Sequence, residues 1–512
     1  MIPLFKVFMD EKVGEEVNKV LYSGMITQAS KVEEFEAMCK KWFNHPYILT
    51  LNSCTSGLTL ALHMLNLNKE DEVLTSALTC TATNWPILTN GLNIKWVDVD
   101  ENTCNMNLTD LESKITEHTK TLVLIHWAGI PNDLDKVEQI LDRAEQKYGF
   151  RIKIIEDCAH AFGAEYKDKK LGTHGNMAVF SLQAIKHITT GDGGLLFLPN
   201  EEMYNRAKLL RWFGIDKHFR SNGKDFRMEP DIVEHGFKYH MNDINATIGI
   251  WNLPNIDKIL TTIRSNAEYY YKELKDCKHT ELLDIHTNSK PSWWIFTIKI
   301  KNRDEFISYA ASKGIMVSQV HKRNDVHTCV QQFKTSLPVL DCLEKKYVSI
   351  PVGWWVTEED RKKIVTCIKN WDIVCDITIR QLKLEDYHKG YLQLYTQLNG
   401  VTIQLTEEQF NKKITDEYWV VEYNNTIIGC GKLIIEHKMY SPVARIEDII
   451  CDTSYRRLGI SSMIVKKFIQ LAKDNGCYKV ILNAREHNST FYHSLGFSSD
   501  NNEYKLYLHK EF

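Results

Sequence analysis

The feature that most constrains this chain is an alternation of two periodicities. From about residue 10 to 250, short apolar runs of strand type ("VLTSA", "IKWVDVD", "KTLVLIHW", "IKIIEDC") are separated by helical patterns such as "DLDKVEQILDRAEQKYG". Strands joined through helices lie parallel, so this order favours a largely parallel sheet covered by helices, an α/β architecture. Long helical stretches with a few strands continue to Trp371. Around "NWDIVCDITIRQL" the pattern restarts as a strand, without a Gly/Ser/Pro linker. The motifs on either side of that point divide the chain into two domains, 1–374 and 375–512.

A length of 512 residues suits two to four domains, and 43% hydrophobic with 25% charged residues is the composition of a soluble globular protein. A formal net charge of -3 offers no basic footprint for nucleic acid. The start, "MIPLFKVFMDEKVGEEV", carries charges too early for a secretory signal, and no apolar run approaches membrane-spanning length. The 13 cysteines are odd in number, scattered and without a Cys-x-x-Cys pair, which fits reduced thiols in the cytoplasm better than a disulfide framework or a zinc site. "HKRNDVH", His321 to His327, has no second ligand cluster nearby and reads as a polar loop, so no metal is expected.

In "VFSLQAIKHITTGDGGLLFL", Val179 to Leu198, an apolar strand ends at Ser181 and Lys186 stands in a polar turn ahead of Gly191-Asp192-Gly193-Gly194. A lysine in such a turn is usually solvated, and Gly-Asp-Gly-Gly also marks an ordinary hairpin. Two other segments add weight to it. "LNSCTSGLTLALHML" puts Ser53, Thr55, Ser56 and Gly57 just before a helix; hydroxyls and N–H groups there suit an anion, or form an N-cap and nothing more. "IKIIEDCAH" is an apolar strand ending in Glu156-Asp157, at the edge where open α/β sheets bind ligands. That carboxylate could hold a pyridinium proton or cap a loop. A phosphate cup, a strand-end carboxylate and a lysine are together the parts that pyridoxal phosphate needs.

Residues 1 to about 371 resemble the DegT/DnrJ/EryC1/StrS family of pyridoxal-phosphate-dependent sugar aminotransferases. The likeness runs through "IPLFK", "SGMITQASKVEEFE", "NSCTSGLTLAL", "ALTCTATNWP", "HWAGIPNDLD", "IIEDCAHAFGAEY", "SLQAIKHITTGDGG", "GFKYHMNDINATIG" and "VSIPVGWWVTEEDR". It implies a fold type I aminotransferase, with a large, mostly parallel sheet domain and a small C-terminal subdomain. By the same resemblance Lys186 attaches the cofactor and moves the proton between cofactor and substrate carbons. Asp157 keeps the ring nitrogen protonated, His160 lies against the cofactor, and Thr55, Ser56 and Ser181 bind its phosphate. A relative of this family has histidine in place of the lysine and dehydrates its substrate; here Lys186 is present and His187 follows it, which implies transamination. Two positions depart from the family. Cys80 in "LTCTAT" stands where an aromatic side chain often stacks on the cofactor. Lys238 in "GFKYHM" stands where many members have an asparagine that reaches the neighbouring subunit's phosphate, which implies an active site shared across a homodimer.

The second constellation has another grammar. A strand, Ile446 to Cys451, leads into Arg456-Arg457-Leu458-Gly459-Ile460-Ser461, and a helix follows with apolar residues at Ile460, Met463, Ile464, Phe468, Leu471 and Ala472, closed by Asn475-Gly476. A loop of N–H groups opening a helix suits a pyrophosphate. With "NSTFYHSLGF" downstream, this pattern resembles the Gcn5-related N-acetyltransferases, a mixed α/β fold. More narrowly, "IRQLKLEDYHKGYLQLYTQL", "RIEDIIC" and "AKDNGCYKVIL" resemble glucosamine 6-phosphate N-acetyltransferase, across residues 376 to 512. The resemblance implies that Arg456, Arg457, Leu458, Gly459, Ile460, Ser461 and Ser462 bind the coenzyme A pyrophosphate. The backbone of Ile449, Ile450 and Cys451 would hold the pantetheine arm, and Asn488 would touch the coenzyme. Tyr492 would protonate the departing thiolate, or else is a core aromatic beside Phe491 and Phe497; Glu447 and Asp448 would orient the acceptor amine. "HKMYSPVAR" is shorter than that branch's loop before the Glu-Asp pair, and Asn483 replaces a common acidic residue.

Taken together these imply a bifunctional enzyme. Glutamate gives an amino group to C4 of a nucleotide-linked 4-keto-6-deoxyhexose, and acetyl-CoA then acetylates the new amine. A UDP-GlcNAc-derived sugar would give a diacetamido product of the bacillosamine type. The alternatives are a dTDP- or UDP-linked 4-acetamido sugar of the viosamine type, a C-terminal half that is a binding or dimerisation module, or one that acetylates another amine.

Overall fold

The alternation becomes a seven-stranded sheet in the first of two units, Met1–Cys367 and Ile368–Phe512. The structure is a computed structural model, which describes residues 1–216, 231–399, 402–500 and 503–508. In chain order the strands are β1 (Ile48–Leu51), β2 (Glu72–Ser76), β3 (Asn93–Val97), β4 (Thr119–Ile125), β5 (Lys153–Asp157), the short pair β6 (Glu165–Tyr166) and β7 (Lys169–Lys170), β8 (Met177–Ser181) and β9 (Gly194–Phe197). The large sheet has the order β1-β9-β8-β5-β4-β2-β3. Every pair from β8 to β3 is parallel, and β9 alone runs against its two neighbours. β5, β8 and β9 are buried at nearly every position, as strands covered on both faces must be. Helix Leu134–Tyr148 buries Leu134, Val137, Ile140, Leu141 and Ala144 on one face, and Gly149 ends it with a left-handed turn.

The register sets Asp157 level with Ile125 of β4 and Val179 of β8. One edge of the sheet therefore gathers the carboxyl ends of these strands, where the loops that bind ligands start. A smaller antiparallel sheet follows, β10 (Thr280–Leu282), β12 (Phe296–Ile300) and β13 (Tyr347–Ile350), while β11 (Ser289–Lys290) pairs with β6. This is the division into a large, mostly parallel sheet and a small subdomain that the sequence resemblance implied.

The second unit holds β14 (Thr378–Gln381), β15 (Tyr418–Tyr423), β16 (Thr426–Glu436), β17 (Val443–Cys451), β18 (Lys479–Asn483), β19 (Ser498–Asp500) and β20 (Glu503–Tyr507), in the order β14-β15-β16-β17-β18-β20-β19. Among the described residues of this unit only β17 and β18 pair in parallel, joined by the crossover helix Ile460–Asp474. That helix buries Ile460, Ile464, Val465, Phe468 and Ala472 against the sheet. Residues Asn370–Asp376, expected to begin a strand, are instead the last turns of helix Glu358–Asp376, and β14 starts at Thr378. Ile373 and Val374 are β-branched, but they pack against the second unit's core from the helix, and that packing overrides their strand preference. Among the described residues no helix is long and apolar enough to cross a membrane.

Candidate active sites

In the first unit a cavity of about 230 Å³ opens at the carboxyl edge of the sheet. Its wall includes Ser53 and Thr55, Cys80 and Thr83, Asp157 and His160, Ser181, Lys186, Trp294 and His321. Helix Cys54–His63 begins here, four residues earlier than the sequence pattern placed it, with Ser53 as N-cap accepting from Ser56 N–H. The helix can start this close to the sheet because of two glycines. A Cβ on Gly57 would lie 2.6 Å from Val179 Cγ1, and one on Gly194 would lie 2.7 Å from the backbone of Ser53 and Cys54. The first N–H groups of the helix, on Cys54 and Thr55, have no intrahelical acceptor and face the same region as Ser181. Ser56 stands behind this wall, its hydroxyl 2.9 Å from that of Ser53.

Asp157 is buried, and its carboxylate is held from two sides: Thr83 Oγ1 donates to Oδ2 at 2.7 Å and Ala159 N–H donates to Oδ1 at 3.0 Å. Thr79 lies 2.8 Å from Thr83 and, since Thr83 spends its proton on Asp157, Thr79 is the donor there. Burial raises the Asp157 carboxyl above its ordinary value, and these hydrogen bonds only partly oppose it. The adjacent Glu156 is buried too. Burial would raise it, but hydrogen bonds from His126 (3.0 Å) and Asn176 (3.0 Å) hold it below its usual value. His126 Nδ1 accepts from Asn132 N–H, so Nε2 bears the proton given to Glu156. Cys158 lies in the same buried group, whose potential ligand atoms are within 4.8 Å of one another. Both ring nitrogens of His126 are already engaged by protein groups, which makes this cluster a brace for the strand end.

The Lys186 amine lies inside the cavity, 3.4 Å from the ring centroid of Trp294. Burial pushes the amine down to about 8, against the pull of Cys54, Asp157 and Cys80. His160 stacks on Trp294 at 4.0 Å and on His321 at 5.4 Å. Burial and the nearby Lys186 hold His160 well below the usual imidazole range and His321 at about 3. His160 Nδ1 is buried with no partner among the described residues.

In the second unit, β17 and β18 pair from Val443–Lys479 to Ile446–Leu482 and then part. Beyond that point β17 bulges against β16, and Asp448 takes a left-handed conformation (φ 51). A cleft of about 780 Å³ fills the gap, lined by Glu447 to Cys451 on one side and by Leu482 to Arg485, His487, Asn488 and Tyr492 on the other. Arg456 and Ser461 also line it. Gly459 (φ 95) caps helix Ile460–Asp474 and Arg457 (φ 66) bends the chain ahead of it. The side chains of Leu458 and Ile460 are buried in the core, so their share in this turn is backbone. Burial raises the Tyr492 phenol above its ordinary value, which keeps it protonated at neutral pH. Tyr395 donates to Asp448 at 3.4 Å, and Gln397 ties its own helix to Asp452 (2.8 Å) and to Thr453 N–H (3.0 Å).

Residues 8–369 match the model of the DegT/DnrJ/EryC1/StrS aminotransferase family. The chain belongs to that family. Residues 378–497 match the acetyltransferase (GNAT) family. Among solved structures, AtS13 from Actinomadura melliaura is 46% identical, with a TM-score of 0.70, over 72% of this chain and 98% of that one. The sugar aminotransferase CalS13 from Micromonospora echinospora is 42% identical, with a TM-score of 0.69, over 72% and 99%. An uncharacterized protein of Methanocaldococcus jannaschii, MJ1066, is 32% identical over 382 residues, 72% of this chain and 97% of the relative. The chain is thus an enzyme with two activities, a pyridoxal-phosphate-dependent aminotransferase and an acetyl-CoA-dependent N-acetyltransferase.

The aminotransferase cavity fits its cofactor. It offers N–H groups and hydroxyls for a phosphate, an ionisable buried carboxylate, an orphaned imidazole nitrogen and an amine. Of the residues expected there, Thr55, Cys80, Asp157, His160, Ser181 and Lys186 line it. Ser56 and Lys238 do not, and Lys238 is exposed. In the acetyltransferase cleft Glu447, Asp448, Ile449, Ile450, Cys451, Arg456, Ser461, Asn488 and Tyr492 come together; Arg457, Leu458, Gly459, Ile460 and Ser462 stand outside its lining. The sequence pattern left out Thr83, Trp294 and His321. The stretch from His321 to His327 is not a solvated polar loop. Arg323, Asn324 and Asp325 are buried, Asn324 bonds Thr79 O and Asn84, and His321 faces the cavity. The partners of Asn324 are 240 and 245 residues away, so local polarity alone could not reveal its burial.

Proposed function

We propose that residues 1–374 aminate C4 of a UDP-linked 4-keto-6-deoxyhexose derived from UDP-GlcNAc, with glutamate as donor, and that residues 375–512 then acetylate the new amine. The observation that carries this is the joining in one chain of an amine-making site and an amine-acetylating site, each with its groups assembled. The order follows from the chemistry, since a ketone has no nitrogen to acetylate.

When bound, pyridoxal phosphate supplies an electron sink beside the reacting nitrogen. Ser53, Thr55, Ser181 and the first N–H groups of helix Cys54–His63 hold the phosphate, with Ser56 fixing Ser53. Asp157, oriented by Thr83 and Ala159, holds the proton of the ring nitrogen, and His160 lies against the ring. Cys80 stands on the wall where a stacking aromatic would be. Lys186, whose amine is easily made neutral, would hold the cofactor and carry the proton moved during amino transfer.

In the cleft, backbone groups of Ile449, Ile450 and Cys451, freed where β17 and β18 part, hold the pantetheine arm, while the turn Arg456–Ser462 and Asn488 hold the rest of the coenzyme. Glu447 and Asp448 orient the acceptor amine. Its nitrogen bonds to the acetyl carbon, the carbon–sulfur bond breaks, Tyr492 gives its proton to the thiolate, and the proton that the nitrogen loses restores the Tyr492 phenol, leaving the free thiol and the N-acetyl sugar. A homodimer is part of this proposal. Leu21, Tyr22, Met25 and Ile26 are exposed apolar residues, and Thr27, next to them, lies 3.4 Å from His240, two residues from Lys238. Lys238, outside its own cavity, would then serve a partner's phosphate. The cysteine usage agrees with a cytoplasmic enzyme.

Mass spectrometry tests the proposal. UDP-4-keto-6-deoxy-GlcNAc with glutamate should yield only the amino sugar, and added acetyl-CoA should yield its N-acetyl form. With the amino sugar and glucosamine 6-phosphate in competition, acetylation of the phosphate sugar alone would refute the coupling.

A further inference from the structure

We infer that the indole face of Trp294 holds the Lys186 amine as a cation whenever that amine is not bonded to a cofactor, which makes Trp294 a positioning residue for the lysine. This rests on the role proposed above for Lys186. The amine lies 3.4 Å from the ring centroid, contact distance for a cation on a π face. Among the described residues no hydrogen-bond acceptor is engaged by this amine. The nearby Asp157 carboxylate is occupied by Thr83 and Ala159 instead.

The indole itself is fixed from several directions. Its Nε1 donates to the carbonyl of Ile185, the residue before Lys186, at 2.9 Å, so ring and lysine backbone are tied together. Its backbone N–H bonds Ala128 O at 3.0 Å, and Phe5 stacks on it at 5.1 Å. The ring is 95% buried in effect, with Trp294 only 5% exposed. Other titratable groups around the amine are Cys54, Cys80 and Asp157, which favour its charge, and His160, His187 and His321, which burial keeps neutral. Among the described residues no second cation therefore competes for the ring. In a dry site such a contact favours the charged amine by about tenfold, which is about one pH unit. Trp294 thus opposes the effect of burial on Lys186 and keeps the free amine inside the cavity.

The test uses the full chain freed of cofactor. Acetic anhydride labelling of Lys186, read by peptide mass spectrometry across pH, gives the midpoint at which the amine becomes neutral. Trp294→Leu should lower that midpoint by about one unit relative to the native chain. Trp294→Phe, which keeps a ring face but loses the bond to Ile185, should restore most of it. Equal midpoints in the native and Leu chains, or a Phe variant that matches Leu, would overturn the inference. Borohydride trapping of the cofactor separates the two levels. Trapping on Lys186 with no midpoint shift sinks only the role of Trp294, whereas trapping on another lysine sinks the assignment of Lys186 as well.

Discussion

Gly57→Ala should damage the cofactor cup through packing alone. The added Cβ would lie 2.6 Å from Val179 Cγ1, 3.6 Å from Val179 Cγ2 and 3.1 Å from Leu51 Cδ1. Carbon atoms in contact sit about 3.5–4.0 Å apart, so helix and strand must separate by roughly 1 Å or the valine must leave its rotamer. Valine is stiff at χ1, and overpacking of this kind costs about 1–3 kcal/mol. The displaced element is the helix start that bears Ser53 and Thr55, whereas Ser181 stays on β8. A 1 Å mismatch in a preorganised site costs on the order of 10²-fold in function. Cofactor affinity, measured by titrating visible absorbance, should therefore fall by about 10- to 100-fold, while acetyl-CoA binding stays unchanged. Val179→Ala removes the clashing Cγ1 methyl, so the double variant should regain most of the lost affinity. Full affinity in Gly57→Ala, or no rescue by Val179→Ala, would refute the idea that this close approach builds the cup.

Three other substitutions separate the roles. Lys186→Ala should abolish amino transfer and leave acetyl-CoA binding intact; in the native chain, borohydride should fix the visible chromophore on Lys186. Asp157→Asn should slow amino transfer severely, because an amide cannot stabilise a protonated ring nitrogen as an anion does, and near-normal turnover would make that carboxylate structural. Tyr492→Phe should slow acetyl transfer by roughly 10²–10⁴-fold with little change in coenzyme binding, and an unaltered rate would assign the proton to water.

Much of this was legible in the sequence because it is local. The alternation of strand and helix patterns specifies the parallel sheet, and the family motifs around Lys186 and Asp157 are continuous segments. Trp294 and His321 escaped because nothing near them in sequence marks a site, and Thr83, though only three residues from Cys80, escaped because its partner is remote. Thr83 meets Asp157 across 74 residues, and Trp294 meets the carbonyl of Ile185 across 109. Asn370–Asp376 reads as strand from its β-branched residues, yet a helix running in from Glu358 continues through it because Ile373 and Val374 have a core to pack on. The cleft of the second unit depends on where β17 and β18 stop pairing, a property of two strands that neither shows alone.

The most direct test of the coupling follows two labels into one product. Full-length enzyme is given UDP-4-keto-6-deoxy-GlcNAc, ¹⁵N-glutamate and acetyl-CoA carrying ¹³C at the acetyl carbonyl, and the nucleotide sugar is read by NMR. A single product in which the sugar nitrogen shows one-bond coupling between ¹⁵N and the ¹³C carbonyl is the predicted result. A ¹⁵N amine that remains uncoupled while acetyl-CoA is present, or a ¹³C acetyl group on an unlabelled nitrogen, would contradict it.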